Sequence, residues 1–180
     1  MKQLFEAPEA QAPLASLAAV TGGTVEVNLF SPSQWSPIAA NYASPGQQWI
    51  IDASGIMTLV SGTVAMTGRI GTSATPASNT IIGAASSAAT GTAATAQPWI
   101  LRGLITIRTL GLPGANSTLV GRFRLDCPAA FQGAGVAGSI LFGGTATIDL
   151  SIAQGLAISF TPSVSTTSFT PEQISWRSIG

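Results

Sequence analysis

Five carboxylates, Glu26, Asp52, Asp126, Asp149 and Glu172, have the most direct claim to chemistry in the body of this chain. Glycoside hydrolysis needs only two acids at a set separation, one to protonate the leaving oxygen and one to act as base or nucleophile. Nothing in the spacing selects a pair. Asp52 begins Asp52-Ala53-Ser54-Gly55, which has turn chemistry, and Asp126 ends an arginine-bearing segment, where it reads as an ion-pair partner. Cys127 has no histidine to activate it, because the chain contains none. The same absence removes the usual general base and the commonest metal ligand. A single cysteine forbids an internal disulfide or a cysteine zinc site, and Cys127, next to Pro128, reads as a small buried hydrophobe. Gly133-Ala134-Gly135-Val136-Ala137-Gly138 satisfies G-x-G-x-x-G, but that motif holds a pyrophosphate only between a strand and a helix. Here Ser139-Ile140-Leu141-Phe142 follows as a strand, so the stretch reads as a loop. Asn116-Ser117-Thr118 fits the N-glycosylation pattern in a place where any hairpin turn favours Asn. The expectation is a non-enzymatic chain with no catalytic residue, no cofactor and no metal.

The arginines are the sharpest feature. Of seven basic residues six are Arg69, Arg102, Arg108, Arg122, Arg124 and Arg177, and the only lysine is Lys2. Charged residues are 8% of the 180, against about 25% in an ordinary domain, and the net charge is zero. That balance gives no reason to expect nucleic acid or an anionic membrane. Lysine keeps surfaces wet and sheet edges unpaired, whereas arginine is enriched and lysine depleted at protein interfaces. A neutral, charge-poor monomer would be poorly soluble. The composition therefore implies a surface covered by other chains, the alternative being a surface wetted by Ser and Thr.

The elements that would place these residues are strands. Thr24 to Leu29 alternates, and residues 31–46 read as a Pro-rich loop anchored by Trp35 and Tyr42. Gln48-Trp49-Ile50-Ile51 reads as a short strand turning at Asp52–Gly55 into a partner over Ile56 to Val60. Thr63 to Ile70 alternates, with Val64, Met66 and Ile70 on one face. The clearest hairpin is Trp99 to Thr109, a turn over 111–116, and a return over Thr118 to Asp126. In it Trp99, Leu101, Ile105, Ile107, Leu119, Phe123 and Leu125 share one face. Arg102, Arg108, Arg122 and Arg124 converge on the other, with Arg102 expected near Asp126. Four like charges on one face repel unless paired. The face is solvated, meets carboxylates of another subunit, or binds an anion, and the second reading is preferred. A second hairpin is expected from Ala146 to Ile152, turning at Ala153-Gln154-Gly155 into Leu156 to Phe160. Residues 167–179 supply a last strand. The fold class is all-β, an antiparallel sandwich or jelly roll of about eight or nine strands.

Residues 1–22 read as an extended arm, too poor in apolar surface to fold alone, and 23–180 as a single domain. Interrupted by Glu6, Pro8, Glu9 and Pro13, the arm is a poor secretory signal, and no run of about 18 apolar residues suggests a membrane helix. Leu4, Phe5, Leu14 and Leu17 would order the arm by lying on a neighbour; a frayed terminus is the plainer account. Within 71–97 only Pro76, Asn79, Ile81, Ile82 and Gln97 are not Gly, Ala, Ser or Thr. This reads either as a surface excursion or as an extended segment packed on a neighbouring subunit, with Ile81 and Ile82 as contact residues.

The stretch Gln97-Pro98-Trp99-Ile100-Leu101-Arg102-Gly103-Leu104-Ile105-Thr106-Ile107-Arg108-Thr109-Leu110-Gly111, with Gly121-Arg122-Phe123-Arg124-Leu125 after the turn, resembles a strand–turn–strand pattern of tailed-bacteriophage structural proteins. Those are the head-decoration, cement and head-fibre proteins, many of them trimeric jelly rolls similar to tumour-necrosis-factor-like folds. The resemblance covers this segment well and the C-terminal part loosely, and residues 1–70 carry none of it. It implies a virion location on the capsid surface, a homotrimer, and the major capsid protein as partner in a cement role. A head-fibre or tail adhesin contacting the host surface or glycans is the alternative. A carbohydrate-active enzyme on a sandwich scaffold and a secreted binding module stand as other classes.

Overall fold

The computed structural model describes residues 10–12, 20–21, 25–30, 38–59, 62–90, 94–114, 116–127, 132–133 and 136–179. The expected contact residues Leu4, Phe5, Leu14 and Leu17 lie outside them. In chain order the strands are β1 (Ala10–Ala12), β2 (Val20–Thr21), β3 (Val27–Phe30), β4 (Gln48–Leu59), β5 (Gly62–Gly71), β6 (Thr80–Thr90), β7 (Ala94–Thr109), β8 (Ser117–Asp126), β9 (Gln132–Gly133), β10 (Val136–Ala137), β11 (Ser139–Ile148), β12 (Gly155–Pro162) and β13 (Ser168–Ile179). The larger sheet has the order β1-β13-β4-β7-β8-β11, with β2 also on β13; the smaller has β3-β12-β5-β6; β9 and β10 form a separate ribbon. All pairings are antiparallel. Nine of these strands build a two-sheet sandwich, as the alternation implied. The early unit β4–β5 pairs with the late unit β12–β13, β4 on β13 and β5 on β12, which is nested pairing of the jelly-roll kind. A meander, β7-β8-β11, extends the larger sheet.

Inward alternation decides the strand bounds. Trp49, Ile51, Ala53, Met57 and Leu59 are buried while Asp52 and Ile56 face out, so β4 runs unbroken through Asp52–Gly55. The expected turn there is absent: the period of two stays in phase across Gly55, and register with β7 and β13 satisfies the backbone. The second expected hairpin is also corrected. β11 ends at Ile148, and the Asp149 carboxylate accepts bonds from the Ser151 amide (2.9 Å) and hydroxyl (2.6 Å). This local turn sends the chain into the opposite sheet, where β12 pairs with β5 and β3 rather than with β11.

The stretch 71–97 is not a loop excursion. A short 3-10 turn, Pro76–Ser78, leads into β6, which pairs with β5, and β7 begins at Ala94. Backbone ladders need no bulky side chains, so a strand of Ala, Ser, Thr and Gly leaves almost no hydrophobic signature. Of its apolar pair, Ile82 is fully buried in the core and only Ile81 is exposed. Ile82 is thus removed from the expected contact residues, because it points between the sheets.

The core holds Trp49, Trp99, Phe160 and Phe169 at 1% exposure or less. Trp99 meets Phe169 edge-on at 6.0 Å, Phe169 lies 4.6 Å from Phe160, and Phe123 stacks on Phe142 at 5.0 Å. Each such side chain contributes about 1.5–3 kcal/mol by leaving water. Cys127 is fully buried among them. No helix among the described residues is long and apolar enough to cross a membrane.

Candidate interaction surface

The arginines are held by β7 and β8, whose inward residues (Trp99, Leu101, Ile105, Ile107, Leu119, Phe123, Leu125) are all buried. Period-two geometry then forces Arg102, Arg122 and Arg124 out on the opposite face, and all three are exposed, as is Arg108. Register gives the rows. Asp52, Arg102, Arg124 and Leu141 stand side by side across β4, β7, β8 and β11. The next row is Ile50, Leu104, Arg122 and Gly143, with Arg177 beyond Ile50 on β13. On the other side lie Ser54, Ile100, Asp126 and Ser139.

The expected Arg102–Asp126 contact is replaced. Asp126 sits opposite Ile100, and its carboxylate takes a 2.7 Å bond from Arg124 Nε on its own strand. Opposite Arg102 stand Asp52 on one side and Arg124 on the other. A bulge between Ile107 and Thr109 sets this register. Asp52 is therefore a strand residue on the arginine face and not a turn residue. It lies two strands across and two residues along, about 12 Å, from Asp126.

Apolar side chains share the same face: Leu141 is 69% exposed, Ile100 45% and Ile179 46%, with Ile50, Leu104 and Val120 half-buried between them. Sequence reasoning missed these. Their signal was present, since the outward positions 50 and 56 of β4 carry isoleucine where a wetted face carries polar residues. Two shallow depressions mark the surface. One, about 460 Å³, has Arg108 and Arg122 on its rim and Gly46, Gln48, Leu104, Thr106 and Val120 among its lining. The other, about 530 Å³, lies between β8 and β11 around Arg122, Leu141 and Thr145. Neither Arg108 nor Arg122 forms an ion pair among the described residues.

Arg69 is placed differently. It faces out from the smaller sheet, but is 8% exposed and bonded to Glu26. Burial pushes the Glu26 carboxyl up, and hydrogen bonds from Arg69 and Ser159, with the Arg69 charge, outweigh it and hold it below its ordinary value. Asp149 is also held low, chiefly by the Ser151 hydroxyl. Among the described residues no group of three or more Cys, Asp or Glu gathers in a way that would hold a metal.

No protein-family model and no curated protein matches the chain. Among solved structures it is similar to a chain in the structure of infectious bursal disease virus, Gx strain, at 12% identity and a TM-score of 0.24. That alignment covers 97% of this chain and spans 40% of the other. At that score the strand order given above remains the description of the fold.

Proposed function

We propose that the chain is a non-enzymatic virion structural protein, a cement or decoration protein that binds coat subunits through the outer face of its larger sheet and assembles as a homotrimer on the capsid surface. One observation carries this reading: among the described residues nothing is layered on that face, although its outward positions carry Ile50, Ile56, Ile100, Leu104 and Leu141 beside arginines. Five strands about 4.8 Å apart and some ten residues long present roughly 800 Å², the area per partner of a standard stable interface. A composition with Lys2 as its one lysine and the phage-like Gln97–Leu125 segment point the same way. Bridging two coat subunits at once multiplies affinity through effective concentration.

The test is Ile100→Glu with Leu141→Glu, both at exposed positions. The double variant should unfold at the wild-type temperature yet lose binding to coat particles, and particles lacking the protein should open at lower temperature. Wild-type binding by the variant, or unchanged particle stability without the protein, overturns the reading.

A head-fibre or tail adhesin is the second reading, favoured by one end of the sandwich. There Asn41 bonds to Leu150 and Ser151, and the Gly114 backbone helps hold the Asp149 carboxyl below its ordinary value. The three loops so joined expose Tyr42, Leu110, Leu112 (79%) and Ile152. Loss of host-cell binding in Leu112→Ser, with particle stability intact, would favour it over cement.

A further inference from the structure

We infer that the depression between Arg108 and Arg122 is a socket for a carboxylate-bearing segment, and that its occupant is Phe5-Glu6-Ala7-Pro8-Glu9 of a second copy of this chain. This rests on the reading of the outer face as an assembly surface, and it gives the Gln48–Thr106–Val120 end of that face to a second copy while leaving the Ile100–Leu141 end to coat subunits.

Arg124 has Asp126 and Arg102 has Asp52 beside it, whereas Arg108 and Arg122 flank the same hollow with no acid among its lining residues. Two guanidiniums over an apolar floor of Leu104 and Val120, with Gln48 and Thr106 at its edge, fit carboxylates next to a nonpolar side chain. Seven acids exist in the chain. Glu26 is taken by Arg69, Asp126 by Arg124 and Asp149 by Ser151, Asp52 adjoins Arg102, and Glu172 is exposed on β13 with no second acid near it in sequence. Glu6 and Glu9 are closely spaced, and they adjoin Phe5.

The topology brings that segment to the correct end of the sheet. Ala10 pairs with Trp176 and Ala12 with Ile174, so β1 starts on the side of its pairing that is nearer to Ile179. Ile179 shares a row with Gln48, Thr106 and Val120, three residues that line the hollow. Within one chain, however, the gap between β7 and β8 lies three and a half strand spacings, roughly 17 Å, from β1. Glu9 adjoins Ala10, so one residue of extended chain, about 3.4 Å, plus a side chain leaves it short of that distance, and within one chain only Glu6, four residues out, has the reach. The β1 edge of one copy, laid on the β7–β8 face of the next, lets both glutamates reach both arginines. Such a head-to-tail contact repeats from copy to copy, and a trimer requires that its rotation close after three copies.

The experiment uses the full chain and measures self-association by light scattering and sedimentation. Arg108→Glu with Arg122→Glu should weaken association about tenfold or more at unchanged unfolding temperature, and Glu6→Arg with Glu9→Arg should do the same. All four substitutions on one chain should restore it, and raised salt should weaken the wild type. Unchanged association in either reversed variant, or no recovery in the combined one, overturns the contact. A wild type that binds coat particles but stays monomeric at every concentration overturns it too and leaves the cement reading standing. A wild type that self-associates through the socket and binds no particle does the reverse.

Discussion

Arg69 grips Glu26 with two prongs, Nε to one carboxylate oxygen and Nη2 to the other, both at 2.8 Å. Its third nitrogen donates to the Asn79 carbonyl at 2.9 Å, and the Ser159 hydroxyl donates to the same carboxylate. One guanidinium thus ties the segment before β3, the strand β5 and the start of β6 together on the outer side of the smaller sheet. Side-chain exposures of 10% and 21% put the pair between the surface and the interior.

Removing one partner leaves the other desolvated and unmatched. Arg69→Met should therefore cost roughly 1.5–3 kcal/mol, the scale of hydrogen bonds to charged groups, short of the 3–5 kcal/mol of a fully buried pair because Glu26 keeps some contact with water. Arg69→Met with Glu26→Gln should cost less than Arg69→Met alone. Urea unfolding of these two variants, Glu26→Gln alone and the wild type measures this, and additive costs would show that the two side chains act independently.

The same cluster sets an acid limit. Glu26 is lower in the folded chain than its ordinary value near 4.5, so the unfolded state takes up the proton first. Its contribution is whole above pH 4.5 and fades as the pH drops through the folded value. Wild type should lose stability on acidification below that point, and Glu26→Gln should lose less. Asp149, lowered in the same sense, adds to the slope, so Asp149→Asn is the comparison that isolates Glu26. Parallel curves for wild type and Glu26→Gln would mean the carboxylate titrates alike in both states.

Much of this architecture was legible because a half-buried strand writes its orientation in every second residue. The faces of β5, β7 and β8 follow directly from Val64, Met66, Leu101, Ile105 and Phe123, and so do the outward arginines. What was illegible had other causes. The Asp52–Gly55 stretch carries turn residues, but continuous pairing on both sides overrides local preference. β6 has side chains too small to show a period. The crossing from β11 to β12 depends on the bond between Asp149 and Ser151, not on hydrophobicity. Register was out of reach as well, since a bulge beside Arg108 decides which acid meets which arginine. The Arg108–Arg122 hollow needed that register before it could be seen.

The two sheets close at one side on bare backbone. A Cβ on Gly83 would stand 2.5 Å from the Gly143 Cα and 2.7 Å from its nitrogen, atoms that β8 and β11 hold in place. Gly83→Val should cost about 1–3 kcal/mol from overpacking, whereas Ala84→Val, on the exposed neighbour, should stay within about 0.5 kcal/mol. Thermal unfolding of both checks it, and equal effects would mean that β6 shifts freely over β11.

The Phe123 ring fills the space that glycines leave. A Cβ on Gly68, Gly103 or Gly121 would lie 2.7 to 2.8 Å from its ring atoms, and Phe142 stacks on its far face. Gly68 belongs to β5 and the other two to β7 and β8, so the ring spans both sheets where small residues let it lie flat. Phe123→Ala should cost about 3–5 kcal/mol. Gly68→Ala should also destabilise, by collision with the ring edge, and in a Phe123→Leu background its penalty should shrink, because the shorter side chain gives way. A double-mutant cycle measured by denaturant unfolding tests the coupling. A Gly68→Ala cost that is the same in both backgrounds would mean the strain falls on the β5 backbone and not on the ring.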